Sequence, residues 1–166
     1  MADSTVDSGP AEAGSALTID FERGIPFLVS ALGAKLADMA SRDVRKVLGI
    51  GLMEWRTVAL LAVETQATPA RVGKVAGVDK SVVSRAAATL EQRGMIEVES
   101  DPPGSRQTRL SLTAKGRELH DRGVRVSFER SEALLKGFSA EERELLTDFL
   151  KRAIANLPGL ESAPKA

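Results

Sequence analysis

Between residues 80 and 90 two sets of side chains alternate at helical steps: Lys80, Ser81, Ser84, Arg85 and Ala88 in one, Val83, Ala87 and Leu90 in the other. On a helix the two sets take opposite faces, so the apolar set anchors the segment while the polar set stays open. That open face offers cations for phosphate oxygens or guanine edges, hydroxyls for either, and a small residue where a backbone must approach base edges. No acid stands among them. A Ser, Lys and Arg face is equally what any solvated helix shows, so the surroundings have to decide. A basic residue, Arg106, follows the turn-forming Asp101-Pro102-Pro103-Gly104, where an extended side chain reaches a narrow minor groove. Residues 71 to 109 hold seven basic and five acidic side chains, a net of plus two, with most of the acids flanking the hairpin rather than on the open face.

Other chemistries lack their residues. There is no Cys, which removes disulfides, thiolate metal sites and thiol redox sensing. His120 is the only histidine, and a lone histidine on a long helix reads as a surface or interface residue rather than a metal ligand or sensor. With no phosphate-cradling glycine loop and no clustered carboxylates, the chain reads as a non-enzyme with no catalytic residues, no metal and no cofactor.

The elements that would hold the open face are marked by caps and glycines. Thr68 before Pro69 is an N-cap followed by a first helical position. Gly77 ends that short helix, Asp79 caps the next, and Val78 with Val83 forms a hydrophobic staple across the corner. Gly73, Gly77 and Val83 are the small, turning and apolar residues that a helix-turn-helix requires. The second helix is predicted from Lys80 to Arg93, stopping at Gly94. Ile96 and Val98, then Thr108, Leu110 and Leu112, alternate with polar residues as two half-buried strands of a hairpin. Upstream, Met53 to Val63 predicts an apolar helix with Trp55, Val58 and Leu61 as core, and the helix opening at Pro69 follows it directly. Ile25, Leu28, Leu32, Leu36 and Met39 share one face of a long helix ending near Leu48. Downstream, Thr113 caps a long helix to about Lys136, and Ser139 with Glu142 forms a capping box for a last one. In that last helix Leu146, Phe149, Leu150, Ala153 and Leu157 form an apolar stripe before Pro158.

The expected fold is mainly α with a small β-hairpin (α+β), a winged helix-turn-helix flanked by N- and C-terminal dimerisation helices. Residues 1–18 read as a disordered acidic arm, with Asp3, Asp7 and Glu12 and no basic residue. Residues 19–160 read as one domain: a winged core at 53–113, with 24–48 and 114–157 as dimerisation helices. Hydrophobic residues make up 43% of the chain and charged residues 28%, the balance of a globular protein. No run of about 18 apolar residues suits a membrane, and the N-terminus lacks a secretion signal, so the expected compartment is the cytoplasm. A formal net charge of +0 argues against indiscriminate coating of nucleic acid but leaves room for a local basic face.

Met53-Glu54-Trp55-Arg56, the segment Asp79 to Arg85, Leu90-Glu91-Gln92-Arg93-Gly94 and Leu112-Thr113-Ala114-Lys115-Gly116, in this order and between long helices, resemble the multiple antibiotic resistance regulator (MarR) family. The likeness spans about residues 25 to 157. It implies a homodimer whose recognition helices enter successive major grooves of a pseudo-palindromic operator and whose wings touch the flanking minor grooves. It also implies repression relieved by a small-molecule effector, held between the dimerisation helices and the winged core. By position, the implied DNA contacts are Lys80, Ser81, Ser84 and Arg85 on the recognition helix, Arg106 in the wing, and Thr68 toward phosphate. Family wings often carry an acidic residue just before the basic pair; Gly104 and Ser105 stand there instead, and Asp101 is left to take that place. No residue of the chain identifies the effector or its contacts.

The apolar stripes of the first helix, of Leu119, Phe128 and Leu134, and of the last helix exceed what the winged core can bury, and a second copy would cover them. The alternative reading is a winged helix used for protein contacts without DNA binding.

Overall fold

The computed structural model describes residues 20–100, 104 and 108–161. The acidic arm at 1–18 and Arg106 lie outside them. In chain order the elements are α1 (Ile25–Leu48), α2 (Leu52–Glu64), β1 (Gln66–Ala67), α3 (Pro69–Ala76), α4 (Lys80–Gln92), β2 (Ile96–Ser100), β3 (Thr108–Leu112), α5 (Ala114–Leu134) and α6 (Ala140–Glu161). The described residues fall into two compact units that divide between Ala40 and Ser41, inside α1.

In the first unit, the Asp20 carboxylate accepts the backbone N–H groups of Glu22 and Arg23 at 2.9 and 3.0 Å just ahead of α1. Phe21 packs on Phe27 with ring centroids 4.5 Å apart. Ile25, Leu28, Leu32 and Met39, the face expected from periodicity, are exposed.

The second unit carries the core. Val44, Leu48 and Ile50 join Trp55, Val58 and Leu61 of α2, Val72 of α3, Val83, Ala87 and Leu90 of α4, and Ile96, Leu110 and Leu112 of the sheet. Helix α2 packs against α3, α4 and α5. Leu119 closes this core at 1% exposure. It therefore belongs inside the winged unit and not to the partner-facing stripe expected with Phe128 and Leu134, because the start of α5 packs on α2 and β3.

The hairpin pairs Ile96 with Leu112 and Val98 with Leu110 on its core side, as the alternation requires, and Glu97 with Ser111 and Glu99 with Arg109 on the other. A third strand, β1, lies on the far side of β3, giving the order β1-β3-β2. It interrupts the direct passage from α2 to α3 expected from the sequence, pairing Gln66 with Ser111 and Ala67 with Leu110. Two residues are too few to show an alternation. The last helix differs too: α6 continues through Pro158 to Glu161 instead of stopping before it. Proline already has a helical φ, and its cost is one lost N–H bond and crowding of the carbonyl four residues earlier.

Candidate nucleic-acid interface

The corner that presents α4 is built from two caps. Thr68 Oγ1 accepts the Arg71 N–H at 3.1 Å, and Pro69 takes the first helical position of α3. Gly77 ends α3 with φ +68 and ψ 33, a left-handed conformation that suits glycine, while the Val78 N–H donates to the Gly73 carbonyl at 3.0 Å. Gly73 is needed for a different reason. A β-carbon there would stand 2.7 Å from the Val78 carbonyl oxygen, so only hydrogen lets α3 lie this close to the corner.

Asp79 caps α4, its carboxylate accepting the Ser81 N–H at 2.7 Å. Hydrogen bonding from Ser81, through its hydroxyl first and its backbone second, holds the Asp79 carboxyl below the usual range. Behind the helix Val83, Ala86, Ala87 and Leu90 are buried; in front Lys80, Ser81, Ser84, Arg85 and Ala88 are exposed, as their spacing predicts. Ser84 donates its hydroxyl to the Lys80 carbonyl at 3.0 Å. Both serine hydroxyls thus rest on their own helix and need only rotate to offer the proton elsewhere. The Arg85 guanidinium has no hydrogen bond or ion pair among the described residues, and only its backbone carbonyl accepts, from the Thr89 hydroxyl at 3.2 Å. Thr68 is exposed, and its hydroxyl, accepting from Arg71, keeps its proton to donate.

Five of the six expected contact residues, Thr68, Lys80, Ser81, Ser84 and Arg85, are therefore exposed on or beside one helix-turn-helix. The sixth, Arg106, lies outside the described residues. Two cations of the same stretch are committed elsewhere. Arg71 grips Glu64 with Nε at 3.0 and 3.1 Å and Nη2 at 2.5 Å, which lowers the Glu64 pKa and raises that of Arg71. Arg93 reaches back to the Gly49 carbonyl at 2.9 Å.

What the sequence reading missed is the joint that fixes α4 from its far end. Thr113 uses one hydroxyl twice, accepting the Gly116 N–H at 3.1 Å to cap α5 and donating to the Gly94 carbonyl at 2.8 Å. Lys115 Nζ donates to the Arg93 carbonyl at 2.7 Å. Gly116 lies against the Met95 carbonyl so closely that a β-carbon would collide with it. The signal was available: a glycine inside the first turns of a helix costs stability unless a close approach requires it. Farther along α5, Gly123 leaves room for the Trp55 ring, on whose other neighbour, His120, the stacking distance is 6.0 Å.

Comparison with known proteins agrees with this geometry. Residues 48–107 match the model of the MarR family. The helix-turn-helix-type transcriptional regulator YxaD of Bacillus subtilis is 33% identical over 105 residues, covering 61% of this chain and 73% of that protein. The crystal structure of a MarR/EmrR family transcriptional regulator from Acinetobacter superposes with a TM-score of 0.78 at 28% identity, over 85% of this chain and 99% of the other. The fold is shared as well with MepR of S. aureus in its DNA complex, with a TM-score of 0.69 at 19% identity over 82% and 98% of the two chains.

Proposed function

This chain belongs to the MarR family of helix-turn-helix transcriptional regulators, and from that premise we propose that it is a homodimeric repressor of a pseudo-palindromic operator, released by a small-molecule effector. The observation that carries the DNA-reading part is the division of α4: Val83, Ala87 and Leu90 buried behind, and Lys80, Ser81, Ser84 and Arg85 open in front of a corner set by Gly73 and Gly77. Lys80 and Thr68 serve the phosphates, Ser81, Ser84 and Arg85 the base edges, and Arg106 the flanking minor groove.

Dimerisation is supported by the apolar side chains left open outside the winged core. Phe128 and Leu134 of α5 and Leu145, Phe149, Ile154 and Leu157 of α6 are exposed, and no residue of α6 is buried among those described. A second copy covering them by two-fold symmetry would set two α4 helices against half-sites about 10 bp apart. No helix among the described residues is long and apolar enough to cross a membrane, which suits a regulator acting in the cytoplasm.

The test is footprinting on the DNA upstream of the protein's own gene, with affinity followed against salt. A protected pseudo-palindrome, bound less tightly as salt rises through counterion release, is expected. Absence of duplex binding at any salt would overturn the reading and favour a winged helix that contacts protein.

A further inference from the structure

Helices α2 and α3 leave an open groove between them on the winged unit, with a volume of about 490 Å³. Trp55, Leu60 and Val63 line it from α2 and Val72 and Val75 from α3. Val72 and Trp55 are buried, whereas Val63 and Val75 stand 80% and 53% exposed at its margin. Such an apolar concavity lies within the size range of small-molecule sites. One charge enters it. Arg56 is the only ionisable residue of the lining, and its side chain has no hydrogen bond or ion pair among the described residues. Next along the same two helices, Glu64 and Arg71 neutralise each other, so Arg56 is the cation left to be matched among the residues that line the groove.

We propose that this groove, wholly within the winged unit, is an effector site for a small apolar carboxylate, its body on Trp55 and the valines and its head group on the Arg56 guanidinium. The planar guanidinium fork matches a carboxylate with two parallel hydrogen bonds, and the aromatic and aliphatic walls match an apolar body. The site differs from the crevice between dimerisation helices and winged core that the family resemblance implies. It also has a route to DNA. Helix α3 forms the groove with one face and meets the corner at Gly73, where a β-carbon would touch the Val78 carbonyl. A body wedged between α2 and α3 moves α3, and the corner that aims α4 has no slack to absorb the displacement.

The inference rests on the regulator reading above, and its test separates the two. Trp55 is the only tryptophan of the chain, so its indole N–H gives a single side-chain NMR resonance that reports the groove. The probes are 2-naphthoate and its uncharged amide. The expected result is a saturable shift with naphthoate, binding at least about ten-fold tighter than the amide through the charge-assisted contact. Arg56→Gln should reduce naphthoate to the level of the amide, Val63→Asp should weaken both, and naphthoate should lower operator affinity in the wild type. No saturable shift, equal binding by the Arg56→Gln protein, or a shift without any change in operator affinity each overturns the proposal. So does a Val63→Asp protein that becomes monomeric while the wild type ignores both probes, since the groove is then a contact between copies. Operator binding measured without probe reports on α4 alone: its absence sinks the regulator reading and leaves the indole titration to stand.

Discussion

Arg85 is the side chain on which the proposed base reading turns, because it combines exposure, a guanidinium with no partner among the described residues and a position on the open face of α4. Arg85→Ala should cost roughly 1 to 3 kcal/mol of operator affinity and relax specificity at one position per half-site, as measured by titration against a panel of half-site variants. Unchanged binding would remove it from the interface. Arg106→Ala is expected to weaken binding chiefly on operators with A·T-rich flanks, whose narrow minor groove attracts arginine; equal loss on all flanks would reassign it to phosphate. Asp79 makes a prediction about pH. Its folded pKa lies below the ordinary carboxylate value, so its capping stabilises at every pH above that value and is lost only as pH falls through the lower folded one. The difference in melting temperature between the wild type and Asp79→Ala should therefore hold steady from neutrality to about pH 4 and close only in more acid solution. A gap that closes near neutrality would mean that the folded carboxyl is raised rather than lowered, and one that persists in strong acid would mean that the cap does not depend on its charge.

Among elements, the corner between α3 and α4 separates two uses of glycine. At Gly77 the demand is conformational: φ is +68 and open space surrounds the missing side chain, so Gly77→Ala should cost about 1 to 2 kcal/mol of stability while operator affinity per folded molecule persists. At Gly73 the demand is spatial. Gly73→Ala drives a β-carbon against the Val78 carbonyl, backbone that cannot swing away, so both stability and operator affinity should fall, by about 1 to 3 kcal/mol in stability. Denaturant titration beside DNA titration distinguishes the pair; identical behaviour would mean that α3 does not set the aim of α4. The opposite end of α4 is held by Thr113, Lys115 and Arg93, so the helix is fixed at its N-terminus by its own Asp79 cap and at its C-terminus by contacts with distant residues.

For the whole molecule, the proposed dimer depends on α6, whose apolar side chains contribute nothing buried to the winged core. Phe149→Glu, at a position 55% exposed, should leave the fold intact by circular dichroism yet yield monomers in analytical ultracentrifugation and lose binding to full operators. A Phe149→Glu protein that stays dimeric would place the subunit contact elsewhere. Read from the residues alone, the sequence determined the helices, the hairpin, the caps at Thr68, Asp79, Thr113 and Ser139 and the open face of α4. The helices, the caps and the alternation within each strand depend on neighbours within about four residues, and a periodic pattern carries that information. Only the tertiary structure decided that Leu119 turns inward, that β1 joins β3, that Arg71 is paired and that Arg93 is spent on Gly49, a carbonyl 44 residues away. The physical reason is separation: a hydrogen bond, a strand partner or a close glycine contact between distant segments leaves no local periodicity, and is settled only when the core brings those segments together.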